Sequence, residues 1–250
     1  FADRKLIESQ INERTRAILV TNPGNPTGLV LTHEEMRVIA DVVKEHDLFL
    51  VADEVYREFI YDDEPMGTFC EMEDIKDHVI VVDSISKRFS ACGARVGILV
   101  SRNRELMAQA LKICQGRLCA ATLDQLGAAA LYGVGSDYFS AVREEYHRRR
   151  DTCMEGLSQI PGVVCECPKG AFYLMAKLPV DDTDKFQTWL LEEFQDNGET
   201  VMFAPGEGFY GTPGKGRDEV RLAYILKQAD LRRAMEVLAH GIEAYNSRKL

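Results

Sequence analysis

The chain has 250 residues, 46% of them hydrophobic, with a formal charge of -10 and a pI near 5.1, enough to bury a substantial core in one large or two modest domains. The acidic balance argues against a nucleic-acid backbone as partner, and the run Arg148-Arg149-Arg150 is too short to reverse it. No apolar run approaches a membrane span, the start Phe1-Ala2-Asp3-Arg4-Lys5 lacks a signal-peptide pattern, and the seven cysteines form no C-x-x-C pair, so a soluble, cytoplasmic protein with reduced thiols and no metal is expected.

In chain order, Arg16 to Thr21 reads as an apolar strand that ends in a Pro/Gly/Asn turn. Thr32 and Glu35 form a capping box for a helix reaching about His46, and Leu48 to Ala52 is a second apolar strand. Strand, helix and strand in so short a span make a βαβ unit, which predicts a parallel sheet covered on both faces. An irregular acidic stretch from Asp62 to Asp77 leads to a third strand, His78 to Asp83, then a loop, then a strand from Val96 to Ser101 expected to return antiparallel. Helices follow: one capped by Asn103 and reaching Gln115, one from Thr122 to Tyr132, and a long one from Ser136 to about Ile160. Beyond Pro161 the pattern changes to short strands at Val163 to Glu166 and Ala171 to Leu178, a helix over Asp184 to Asn197, strands near Val201 and Val220, and a last helix from Asp230. The expected architecture is α/β, a mostly parallel sheet with flanking helices over residues 1–150, plus a smaller α+β domain over residues 151–250.

The segment Ser84-Ile85-Ser86-Lys87-Arg88-Phe89-Ser90-Ala91-Cys92-Gly93-Ala94-Arg95-Val96-Gly97 carries the chemistry. Its lysine follows a strand whose apolar run reads as buried, and ligands of open α/β sheets bind at strand carboxyl ends. One lysine with flanking hydroxyls and a nearby arginine suits an amine that forms an imine beside a bound phosphate. Gly93 and Gly97 are read as places where the backbone turns tightly or passes close to a ligand.

This segment resembles the active-site lysine motif of the fold-type-I aminotransferases, which use pyridoxal 5'-phosphate. Asn22-Pro23-Gly24-Asn25-Pro26-Thr27-Gly28, Asp53-Glu54-Val55-Tyr56 and Arg221-Leu222-Ala223-Tyr224 extend the resemblance in the family's order. It implies that Lys87 holds the cofactor, that Asp53 keeps its ring nitrogen protonated, and that Tyr56 and Asn25 bond its phenolic oxygen. It further implies Ser84, Ser86 and Arg95 at the phosphate, Arg221 with Asn25 at the substrate carboxylate, and a cis bond before Pro26. Gly170-Ala171-Phe172-Tyr173 is similar to a stretch lining the family's site, although its aromatic residues could equally be core; Arg117 is read as a surface or helix-end residue, with a distal-carboxylate contact as the alternative.

The overall look is closest to bacterial aspartate aminotransferases, which implies ping-pong transfer of an amine from aspartate to 2-oxoglutarate by a homodimer. Aromatic amino-acid transamination, carbon–sulfur or related lyase chemistry, and the aminotransferase-like sensor domain of a transcription regulator are the alternatives. A full member of the family carries a long stretch ahead of the position matching Phe1. That stretch would supply a phosphate-binding Gly/Ser/Thr loop and the aromatic residue stacked on the cofactor ring, so the chain is expected to be a C-terminal fragment that could be inactive alone.

Overall fold

The computed structural model describes residues 2–61 and 66–248; the start of the acidic stretch expected from Asp62 lies outside the described residues. By backbone contacts the chain divides into two compact units, one of residues 1–24 and 29–140 and the other of residues 25–28 and 141–250.

The first unit is built on a four-stranded sheet, β1 (Ala17–Thr21), β2 (Phe49–Asp53), β3 (Val79–Ser84) and β4 (Gly97–Val100), ordered as in the chain. The first three strands run parallel and β4 is antiparallel to β3, as the sequence predicts. A short helix, α1 (Arg4–Ser9), precedes β1 and is capped by Asp3; sequence reasoning did not foresee it. The helix α2 (His33–Glu45) connects β1 to β2 and begins with the expected reciprocal Thr32–Glu35 capping box. Its Met36, Ile39, Ala40 and Val43 pack on Leu50, Ala52, Val79 and Val81, which form one face of the sheet. Register places Leu19 beside Val51 and Val82 beside Leu99 on the opposite face. There Leu19 is 71% and Leu99 41% exposed, so two-sided cover is not met among the described residues. Three helices follow: α3 (Ile85–Arg88), a single turn, then α4 (Arg104–Arg117), capped by Asn103, and α5 (Thr122–Leu131). The long helix α6 (Ser136–Ser158) spans the point at which the two units divide.

The second unit carries a sheet of β5 (Val164–Cys165), β6 (Tyr173–Lys177), β7 (Ala204–Pro205) and β8 (Glu219–Ala223) in the order β5-β6-β8-β7, antiparallel throughout. Helices α7 (Thr183–Glu192) and α8 (Gln228–Ser247) supply an aromatic core in which Phe186 meets Trp189, Phe203 and Tyr245 at centroid separations of 5.0–6.2 Å.

Two expectations shift here. The helix expected to reach Asn197 stops at Glu192, because the chain reverses through Asn197 and Gly198, both with positive φ, in a turn closed by the Asp196–Glu199 pairing. The strand expected near Val201 forms only at Ala204, because the amide of Gln187 on α7 bonds the backbone of Val201 and Phe203 in place of a neighbouring strand.

Candidate active site

In the first unit the predicted site residues lie at or just beyond the carboxyl ends of β2 and β3. Asp53 is the last residue of β2, in register with Thr21 and Val82. Buried Asn22 donates its backbone N–H to the Asp53 carbonyl at 2.9 Å and accepts from the Leu31 amide through Oδ1 at 3.0 Å. The turn after β1 is thereby fastened to the end of β2. The Asp53 carboxylate accepts from the Val55 amide at 3.1 Å. Burial pushes its pKa up, the Val55 bond opposes that, and the negative charge of Asp83 adds to it. A half-buried acid with an acid for a neighbour is set up to receive a cation. Next to it Glu54 is buried, with Oε1 accepting from Thr68 Oγ1 at 2.7 Å, Oε2 buried without a hydrogen bond, and Arg57 3.5 Å away. Tyr56 is buried one turn further on.

Lys87 does not sit in a loop, as the sequence suggested, but in the single helical turn α3. The reason is local. Ser84 caps the turn, its Oγ accepting from the Ser86 amide at 3.1 Å, while Ile85 and Phe89 anchor it in a cluster with Ala128, Leu131, Tyr138 and Phe139. Arg88 adds a second anchor. Its side chain is 12% exposed and pairs through Nη2 with Asp83 Oδ2 at 2.5 Å, with Glu58 at 3.5 Å and the Tyr132 ring at 5.7 Å. Lys87 therefore sits on a turn anchored by the residues on either side of it.

The hydroxyls of Ser84 and Ser86 lie 2.7 Å apart, and Ser84 Oγ is 3.0 Å from the carbonyl of Val96, the residue after Arg95. Ser84, Ser86 and the Arg95 backbone are thus neighbours, whereas the exposed Arg95 guanidinium donates to the Cys92 carbonyl at 3.1 Å. Gly93 lies in a 3-10 turn, Cys92–Ala94, but neither glycine is required there by steric crowding. Gly93 has nothing within 4 Å of where a Cβ would stand, and Gly97 only the Asp83 carbonyl at 3.7 Å. The left-handed positions of this loop are Ser90 (φ 52°) and Arg95 (φ 54°), so the chain turns at side-chain-bearing residues and holds Arg95 against a local backbone preference.

The second unit holds the other two predicted residues. Arg221 lies on β8 and donates from Nη1 to Oδ1 of Asn25 at 2.9 Å. Its guanidinium carbon is 4.6 Å from the centroid of Tyr173 and 5.0 Å from that of Phe209, and its Nε is buried without a hydrogen-bond partner. Asn25 reaches this unit because residues 25–28 fold with it. Gly28, at φ 69°, accepts from the amides of Lys169 and Gly170 at 2.9 Å each, and a Cβ on it would stand 2.3 Å from Pro168 Cβ. The Asn25–Pro26 bond is cis, as the resemblance implies, and so is Asn22–Pro23. Arg117 ends α4, exposed.

Residues 1–238 match the family of class I and II aminotransferases. The chain belongs to that family. It is 30% identical to an aspartate aminotransferase of Bacillus subtilis over 248 residues (96% of this chain, 61% of the relative) and 33% identical to one of Musicola paradisiaca over 252 residues (98% and 60%). Among solved structures, an aromatic aminotransferase from Pyrococcus horikoshii superposes with a TM-score of 0.86 at 29% identity, covering 98% of this chain and 64% of the other. The chain therefore spans about 60% of the length of the aminotransferases it matches. Its α/β fold, with a mostly parallel sheet and flanking helices, is theirs.

Three contributors in this aminotransferase chain escaped the sequence reading. Arg88 is one residue of the Ser84–Gly97 segment and has no signal of its own in the sequence. Gly28 closes the Asn22–Gly28 motif and carries no separate signal. Phe209 lay in a glycine-rich stretch, Gly206 to Gly216, whose signal was an aromatic pair, Phe209-Tyr210, among residues that otherwise favour turns. Of the Gly170–Tyr173 stretch, Phe172 is core and Tyr173 is the residue that meets Arg221. Among the described residues no cluster of His, Cys, Asp and Glu could hold a metal ion, and no helix is long and apolar enough to cross a membrane.

Proposed function

We propose that this chain belongs to a pyridoxal-phosphate-dependent transaminase that moves the amine of aspartate to 2-oxoglutarate in two half-reactions. The observation that carries the reading is the state of Asp53. A carboxylate at a parallel strand end, pushed up in pKa by burial and by Asp83, gains most from a cationic partner such as a protonated ring nitrogen. The residues present therefore fit the cofactor. When bound, pyridoxal phosphate supplies an electron-withdrawing ring that makes the substrate Cα–H acidic.

The chain's own groups then divide the work. Lys87 Nζ holds the cofactor covalently and afterwards carries the proton to and from Cα, a task suited to an amine on a fixed turn. Asp53 holds the proton on the ring nitrogen. The Tyr56 hydroxyl and the Asn25 amide bond the phenolic oxygen. Ser84, Ser86 and Arg95 hold the phosphate. Arg221, supported by Asn25, takes the substrate's α-carboxylate and so fixes the orientation of Cα.

The aspartate aminotransferases of Bacillus subtilis and Musicola paradisiaca support aspartate as donor. An aromatic-amino-acid aminotransferase 2 of Thermococcus litoralis, 31% identical over 236 residues (92% of this chain, 58% of the relative), favours an aromatic donor as the second reading.

The test is a panel of amino acids with 2-oxoglutarate, following glutamate formed, alongside the visible absorbance of added pyridoxal phosphate in wild type and Lys87→Ala. Aspartate is expected to give the fastest turnover, and Lys87→Ala to lose the lysine-linked absorbance band while staying folded. Retention of that band in Lys87→Ala would overturn the lysine assignment. Release of pyruvate from cystathionine without glutamate formation would replace transamination by lyase chemistry.

A further inference from the structure

Phe209 is 38% exposed, so burial alone does not explain a large apolar ring at this position. The surrounding loop is nonetheless built to hold it. The Gly206 amide donates to the Glu219 carbonyl at 2.8 Å, the Phe209 amide donates to the Gly206 carbonyl at 3.0 Å, and a Cβ on Gly206 would stand 2.6 Å from the Gly216 carbonyl oxygen. The next residue, Tyr210, donates its hydroxyl to Glu219 Oε2 at 2.5 Å, hooking the loop onto β8 two residues before Arg221. These contacts deliver the Phe209 ring to the Arg221 guanidinium.

Tyr173 comes to the same guanidinium from β6, while Phe209 comes from the turn that follows β7, and these strands flank β8 on opposite sides. Rings attract a guanidinium through their faces without using its in-plane N–H groups. An acidic neighbour would hold the arginine equally firmly but would compete for those N–H groups and cancel the charge. With Nη1 taken by Asn25 and Nε buried without a partner, the remaining two-pronged edge is Nε with Nη2, the geometry a carboxylate matches.

We propose that Phe209 is a positioning residue for substrate recognition. With Tyr173 it holds the Arg221 guanidinium in the orientation that offers its Nε–Nη2 edge to a carboxylate, and so makes this unit selective for α-amino acids over simple amines. The inference rests on the reading of Arg221 as the carboxylate-binding residue.

The test uses the protein loaded with pyridoxal phosphate and titrated calorimetrically with 2-aminoisobutyrate, an α-amino acid without a Cα–H, and with its carboxamide. Wild type is expected to prefer the carboxylate. Phe209→Leu should weaken 2-aminoisobutyrate binding roughly tenfold, leave carboxamide binding unchanged, and raise the KM for amino acids with kcat retained. Phe209→Tyr, which keeps the ring face, should restore wild-type affinity, whereas Phe209→Met, close to phenylalanine in volume but without a ring, should lose affinity as Phe209→Leu does, which a simple volume role would not predict. Tyr173→Leu, placed on a strand rather than a loop, carries the same expectation should Phe209→Leu unfold. Unchanged affinity in folded Phe209→Leu, or equal losses in Phe209→Leu and Phe209→Tyr, would overturn the clamp. If wild type fails to distinguish the carboxylate from the carboxamide, it is the underlying assignment of Arg221 that fails.

Discussion

Arg221 donates a 2.9 Å hydrogen bond to Asn25, a residue 196 positions earlier in the chain. Asn25 orients the guanidinium but leaves its charge intact, so the arginine stays available to an anion. Arg221→Lys keeps the charge and loses the fork. Loss of a charge-assisted two-pronged contact is worth roughly 1.5 to 3 kcal/mol, so amino-acid affinity should fall ten- to a hundredfold while cofactor absorbance is unchanged. Calorimetric titration of both proteins checks this.

Gly28 is a position where any side chain fails twice. Its φ of 69° disfavours L residues, and a Cβ would overlap Pro168 Cβ at 2.3 Å and crowd the Tyr173 carbonyl at 2.7 Å. Gly28→Ala should lose about 2 kcal/mol of stability or more and also weaken amino-acid binding, because the strap that carries Asn25 would shift. Denaturant unfolding with a parallel binding titration separates the two effects.

Arg95 presents the opposite case. At φ 54° it holds a backbone conformation that costs a non-glycine residue about 1 kcal/mol. Arg95→Gly is therefore expected to raise thermal stability slightly while weakening pyridoxal phosphate binding, the gain and the loss arising at one residue. A variant that is both less stable and unchanged in cofactor affinity would contradict the assignment.

Glu54 sets a pH dependence. Its pKa is pushed up chiefly by burial, against the hydrogen bond from Thr68 and the charge of Arg57. The folded protein thus holds this proton more tightly than the unfolded chain, and ionising Glu54 lowers stability as pH rises from the ordinary carboxyl range through the elevated folded value. Glu54→Gln keeps an acceptor for Thr68 and removes the charge. It should unfold a few degrees above wild type near pH 8, a difference of about 1 kcal/mol, and the gap should close near pH 4. A gap that widens on acidification would show the sign to be wrong.

The elements legible in the sequence were those whose signals are local. The Thr32–Glu35 box marked the start of α2, and continuous apolar runs marked β1 to β3. What escaped was non-local or masked by solvent-like composition. Gln187 substitutes for a strand partner of residues 201–203, which no pattern around Val201 could announce. Arg88 pairs with Asp83 only in the folded chain, and the left-handed positions near the 3-10 turn at Gly93 fall on Ser90 and Arg95, residue types that do not announce such a conformation. In the candidate site, Lys87, Asp53 and Arg221 are the residues that motifs single out. The rings around Arg221 are only half readable, since Tyr173 lies in the Gly170–Tyr173 stretch and Phe209 in no motif.

The strap of residues 25–28 has a consequence for how the protein is made. It leaves the ribosome long before Lys169 and Gly170, whose amides it must bind, so its partners do not exist when it is first synthesised. Completion of the second unit waits on a contact of high sequence separation, the kind that slows folding. For the same reason no single cut in the chain releases that unit whole: a piece beginning at Ala141 would carry Arg221 and leave Asn25 behind.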